Sequence, residues 1–243
     1  MKKIQCFIFS FFVFVNIVYS QDPNAKNHSD AINYFVYSIK NGNIERALQI
    51  CPYNYDHIVR KFDAKESIKY MGSILPETTN LPSQYLLLNK LDMLSHFGFY
   101  IRRFIWSLLL NDKLSDLKDL NPIPNPNDSL INEYLTLLDL ARLKSLEIVR
   151  VDLYRPDIQQ SSERNIRLKS TQQKIYGFDE QWQYTVLYKC NNKYYVGGFF
   201  IERYNDNWYI SNLGCFLANI SSGQLIQVSG IVEYLYKYEY ELN

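Results

Sequence analysis

Acid–base or metal chemistry in this chain would first be sought at its three histidines, His28, His57 and His96, because imidazole titrates near neutrality and ligates metals. Asp56 precedes His57 and makes an acid–base pair by type, yet neighbours on a helix point about 100° apart. His57 is kept as a candidate catalytic residue. His28 falls in a polar stretch read as a solvated leader, and His96 sits among apolar neighbours and reads as a core or boundary histidine. No H-E-x-x-H or C-x-x-C spacing occurs, so neither a metal site nor a cofactor is expected. Asp152 and Tyr154 alternate with Arg150 on one face of a strand-like segment and are the other catalytic candidates, against the ordinary reading of a solvated face. Ser115-Asp116-Leu117-Lys118 has the S-x-x-K spacing of a serine nucleophile and its lysine, but the S-D-N and K-T-G elements of that chemistry are absent. G-x-S-x-G, the P-loop and G-x-G-x-x-G are absent as well. Trp182, Tyr184, Phe199 and Trp208 are the candidate ligand-binding residues, since aromatic faces can stack on a flat or apolar ligand; core packing is their ordinary use.

These residues must be positioned by a chain of 243 residues with 26 Lys+Arg against 25 Asp+Glu and with 21 Tyr, 14 Phe and 3 Trp. The balance of charge lacks the basic surplus of a nucleic-acid binder, and the aromatic content can build a large core. Lys2 and Lys3 precede the 13-residue apolar run Cys6–Val18, and Val18-Tyr19-Ser20 carries small residues at the −3 and −1 positions. That is the pattern of a secretory signal over residues 1–20, cleaved near Ser20, in a secreted or periplasmic protein. Its removal leaves 24 basic and 25 acidic residues, a net charge of −1. No later segment is expected to span a membrane: the apolar stretch 85–110 is interrupted by Lys90, Asp92, Arg102 and Arg103. Three cysteines would remain, Cys51, Cys190 and Cys215, and export permits a disulfide among them without requiring one.

The periodicities divide the mature chain into a helical portion, 21–144, and a sheet portion, 145–243, packed as one composite domain. Ile32, Phe35, Val36 and Ile39 have helical spacing over 31–40, with Ser29 or Asp30 as cap and Asn41-Gly42-Asn43 as stop. A short helix follows over 44–51, then a segment over 58–71, a long helix from Ser83 to about Leu110, a proline-rich break over 121–127 and a helix over 130–144. From 146 to 154 the period changes to that of a strand, and 156–180 reads as a long loop or irregular strand pair. Strands at 182–190, 193–203 and 207–216 are joined by Asn191-Asn192 and Asn205-Asp206, residues that tolerate positive φ in tight hairpin turns. Two-residue turns pair Tyr188 with Tyr195, Tyr184 with Phe199 and Trp182 with Ile201; the second pairs Ile201 with Ile210, Phe199 with Asn212 and Val196 with Cys215. One face then carries Trp182, Tyr184, Val186, Tyr188, Tyr195, Phe199, Ile201, Trp208 and Ile210, and the solvated face carries Gln183, Thr185, Lys189, Glu202 and Ser211. Gly197-Gly198 marks a mid-strand bulge or bend, and the tail 224–243 adds a strand or a short helix.

The segment AINYFVYSIKNGNIERALQI resembles the first two helices of nuclear-transport-factor-2-like (SnoaL-like, cystatin-like α+β) domains, and YYVGGFFIERYNDNWYISNLG resembles their last two strands. The two segments cover about 40 residues, and a large helical insertion over 57–140 separates them, against single domains of about 110–140 residues in that superfamily. The resemblance implies a cone: helices packed on a bent antiparallel β-meander around a pocket. Because such folds host enzymes, binding modules and dimerisation domains, the function must come from the site. The expectation is an α+β extracytoplasmic protein that binds a small hydrophobic ligand or a protein partner without catalysis. The alternatives are a small acid–base enzyme (isomerase, dehydratase or hydrolase) in the cone pocket, and a structural envelope protein that forms a homodimer.

Overall fold

The computed structural model describes residues 23–63, 65, 66, 69, 82–110 and 128–238. The apolar segment 1–20, Ser115-x-x-Lys118, the proline-rich run and the end of the expected segment 58–71 lie outside the described residues. Helix α1, His28–Lys40, begins earlier than the 31–40 its pattern suggests, because Asn27 rather than Ser29 or Asp30 caps it, its side-chain oxygen accepting from the Asp30 N–H at 2.8 Å. His28 is therefore the first helical residue and not part of a loose leader. Gly42, at φ +67°, turns the chain, and Asn43 caps α2, Ile44–Gln49. A 3-10 turn, Pro52–Asn54, and a short helix α3, Asp56–Val59, lead on to α4, Pro82–Leu109. No helix among the described residues is long and apolar enough to cross a membrane. Helix α5, Asp128–Leu137, stops before the Lys144 expected, and 140–145 tightens into a 3-10 turn capped by Asp139.

Strand β1, Glu147–Leu153, is followed by two helices where a loop or strand pair is expected: α6, Pro156–Ser161, and α7, Glu163–Tyr176. Helix α7 buries only Ile175, so its sequence has almost no apolar stripe. Its boundaries do follow local rules, with Pro156 in the first turn of α6 and Gly177, at φ +71°, ending α7. The sheet then continues through β2, Glu180–Cys190, β3, Lys193–Tyr204, and β4, Asn207–Asn212. Asn191 and Asn192 both take positive φ, and the first hairpin has the expected register at Tyr188–Tyr195, Tyr184–Phe199 and Trp182–Ile201. The second hairpin keeps Ile201 opposite Ile210, but a register shift between Phe200 and Ile201 brings Phe200, not Phe199, opposite Asn212.

Beyond Asn212 the chain leaves the sheet. Cys215 bridges Ile220 instead of lying opposite Val196, whose partner is Ile226 of β5, Ile226–Val228. Gly198 permits this exit: a Cβ there would lie 2.5 Å from Cys215 N and 2.6 Å from Gly214 C. The sheet order is β1-β2-β3-β4, with β5 pairing the stretch of β3, Tyr194–Val196, that β4 does not reach. Helix α8, Ile231–Tyr238, closes the described chain, so the tail supplies both a strand and a helix. Cys51, Cys190 and Cys215 are buried free thiols.

The main core lies where α1 and α4 meet the sheet. Phe35 sets its ring edge-on to Phe104 of α4 at 5.3 Å and to Phe199 of β3 at 5.6 Å. Burying such a side chain contributes about 2–3 kcal/mol. The opposite sheet face is not the solvated one expected. Leu187 and Val196 are fully buried there in a second cluster with Ala218, Tyr234 and Tyr238, and Thr185 is buried beside it against the Tyr234 hydroxyl, because α8 and the 3-10 turn Phe216–Ala218 return over this face. The result is an α+β fold with a bent antiparallel sheet covered on both sides.

Candidate functional site

Between the two covered ends of the second face, a groove remains open. Its floor is formed by Gln181 and Gln183 of β2, Phe200 and Glu202 of β3, and Ser211 and Asn212 of β4. Helix α7 makes one wall through Gln172, helix α4 makes another through His96 and Tyr100, and the 3-10 turn Phe216–Ala218 overhangs it. Two cavities of about 310 and 320 Å³ make up the groove and share Gln172, Gln181, Phe200 and Phe216. Each reaches the lower size of small-molecule sites.

Glu202 is the chemical centre of the floor. It is 2% exposed, and its carboxyl accepts from Gln181 Nε2 at 2.9 Å, from Tyr204 Oη at 3.0 Å and from Ser211. Burial nevertheless outweighs these donors and pushes the carboxyl above the ordinary glutamate range. The phenols of Tyr53 and Tyr204 are pushed up by the same burial and by the neighbouring Glu202. Asn212 Oδ1, also at this floor, is buried without a hydrogen-bond partner. The cations Arg164 and Lys169 stand at the other cavity; burial lowers the Lys169 ammonium, which lies 4.4 Å over the Trp182 ring. Among the described residues, no group of three or more His, Cys, Asp or Glu is placed to hold a metal ion.

A side-chain clamp keeps the groove's neighbouring edge in order. β1 pairs with β2 only as far as Tyr184; beyond it Tyr154 N still donates to Gln183 O at 3.1 Å, but the Gln183 N–H is left at an open edge. Gln159 of α6, 8% exposed, fills the gap: its Oε1 accepts from Gln183 N at 2.9 Å and its Nε2 donates to Gln183 O at 3.0 Å and to Tyr154 O. One primary amide thus serves as a further residue of ladder.

The residues singled out from the sequence lie elsewhere. Asp152 accepts from Tyr234 Oη at 2.6 Å and pairs with Arg150 Nε at 2.7 Å, anchoring α8 to the sheet edge. Tyr154 packs beside the second cluster, and partial burial raises its hydroxyl. His57 is exposed on α3, with Tyr55 as its ring neighbour, apart from Asp152 and Tyr154 on and just beyond β1. Of the aromatic residues, Phe199 and Tyr184 are buried under α1, where His28 stacks on Tyr184 at 4.8 Å; the Tyr184 hydroxyl is pushed up to about 12. Trp182 and Trp208 are half-buried beside them, and neither cavity is lined by any of these seven residues. Glu202 was assigned to the solvated face by its alternation. The signal against that assignment is its place directly after Val196–Ile201, an apolar run of the kind strands show when both faces are covered.

Comparison with known proteins adds an architectural relation. No family model matches the sequence, and no curated protein matches it significantly. A solved structure of a cystatin-like protein from Ruminococcus gnavus ATCC 29149 superposes with a TM-score of 0.52 at 16% identity. The likeness is one of fold. It covers 82% of this chain and 40% of that one, so this chain spans less than half the length of its structural neighbour. At that level it agrees with the cystatin-like α+β resemblance of the terminal segments.

Proposed function

We propose that this is an extracytoplasmic protein that binds a small molecule, without transforming it, in the groove centred on Glu202. The observation that carries this reading is a carboxyl 2% exposed at the floor of a cavity of about 320 Å³, beside the unpartnered Asn212 Oδ1. Buried polar groups are expensive unless matched, and their convergence on an accessible cavity suits a ligand that completes the matching. The leader-like segment 1–20 supports export. The groove's polar floor favours a ligand richer in hydrogen-bonding groups than the hydrophobic one anticipated from the aromatic sheet face, and that aromatic face is occupied by α1.

Gln172 lines both cavities, so Gln172→Trp should plug the groove. In a thermal-shift screen of chemically mixed small molecules, compounds that raise the melting temperature of the wild type should lose that effect in the plugged variant. Hits that stabilise both proteins equally would defeat the proposal. Acid–base catalysis is a second reading, favoured by the upward shift of Glu202 and the presence of His96 and Tyr100 on the same cavity. It requires turnover that Glu202→Gln abolishes while binding survives.

A further inference from the structure

We infer that the groove's ligand is a neutral saccharide of one or two sugar units, held by side-chain amides over the β2–β4 floor and by the ring of Phe216. This rests on the binding function proposed above and names the class of ligand.

The hydrogen-bonding groups of the groove are mainly uncharged and are left half-used by the protein. Gln181 spends its amide N–H on Glu202 at 2.9 Å and keeps its carbonyl. Gln183 does the reverse: its carbonyl accepts from Leu217 N at 3.3 Å and its amide N–H₂ is left over. Asn212 adds a buried acceptor with no partner, and Ser211 a hydroxyl. A surface offering donors and acceptors side by side matches a ligand whose every hydroxyl is both donor and acceptor. An apolar ligand would displace water from these groups and strand them.

Charge narrows the class further. Glu202 at the floor opposes an anion there, and its carboxyl oxygens offer acceptors to a hydroxyl. Arg164 and Lys169 belong to the cavity that Glu202 does not line. The remaining requirement of a sugar is an apolar platform for the C–H face of its ring. Phe216 supplies one: it is 56% exposed, overhangs both cavities and leans on Phe200 at 4.9 Å.

The test is saturation-transfer NMR followed by calorimetry on the full secreted chain. The probes are glucose, galactose, mannose, maltose, cellobiose and lactose, with glucuronate, alanyl-alanine and anilinonaphthalene sulfonate as the competing chemistries. At least one neutral sugar should bind saturably. Gln181→Ala and Phe216→Ala should each weaken it about five- to tenfold, the effect of losing one contact. Phe216→Ala should leave the melting temperature unchanged, because its ring is largely exposed, and Tyr37→Ala, 58% exposed on α1, should leave affinity unchanged. Groove binding of glucuronate, the dipeptide or the apolar dye in place of every neutral sugar overturns the saccharide assignment while groove binding stands. If no probe binds, the saccharide assignment is overturned. If the broad screen also gives no hit sensitive to Gln172→Trp, the binding function falls with it.

Discussion

Replacing Glu202 separates the two forces that act on it. Glu202→Gln keeps the shape and an acceptor for Gln181, while the hydroxyls of Tyr204 and Ser211 can rotate to meet the new amide. Glu202→Ala removes the acceptor altogether. The Tyr204 hydroxyl, on a residue 2% exposed, then loses its partner, at about 1–3 kcal/mol. With the vacated volume, the alanine variant should be about 2–4 kcal/mol less stable than the glutamine variant at every pH. The comparison with the wild type depends on pH. A carboxyl raised in the folded state contributes stability that is fully present below its unfolded value of 4.5 and is lost as pH rises through the folded value. Glutamine carries no such dependence. The difference between Glu202→Gln and wild type should therefore move in the variant's favour from pH 4 to pH 8. Urea unfolding followed by fluorescence of the half-buried Trp182 and Trp208 measures it. Should the glutamine variant lose ground to the wild type as pH rises, the donors outweigh burial and the account of Glu202 is wrong.

Gln159→Leu should destabilise the fold by about 2 kcal/mol, because it strands the Gln183 N–H at the end of the β1 ladder, while Gln183 O keeps the Tyr154 N–H as donor; slowed amide exchange at Gln183 in the variant would contradict this. Gly198→Ala should lower stability by about 2 kcal/mol or more, since its Cβ meets backbone atoms of Gly214 and Cys215 at about 2.5 Å. An unchanged melting temperature would mean that the chain passes Gly198 by another route. Burial against Tyr184 lowers His28, with Asp30 acting the other way. The stability from that depression is present above pH 6.5 and is lost as pH falls through the folded value. Acidification from pH 7.5 to 5 should therefore cost the wild type more than His28→Phe, which keeps the ring stack; equal slopes in denaturation at the two pH values would count against it.

What was legible in the sequence was whatever neighbours in the chain decide. Asn191-Asn192 accept positive φ and so determine the β2–β3 register residue by residue, and the spacing of Ile32, Phe35, Val36 and Ile39 determines which side of α1 is buried. Helix α7 escaped because a helix that buries one residue leaves no periodic trace beyond the glycine that ends it. The site was hidden for a different reason. Alternation along β3 states that Phe199 and Glu202 point to opposite faces, but not what lies over either face. The covers come from α4, α7, the turn at Phe216 and the returning helix α8, segments that the alternation along β3 does not mention. Local sequence decided the order of the side chains on the sheet. Only the tertiary structure decided that the polar face was buried at its ends and open between them, because burial belongs to segments that meet in space.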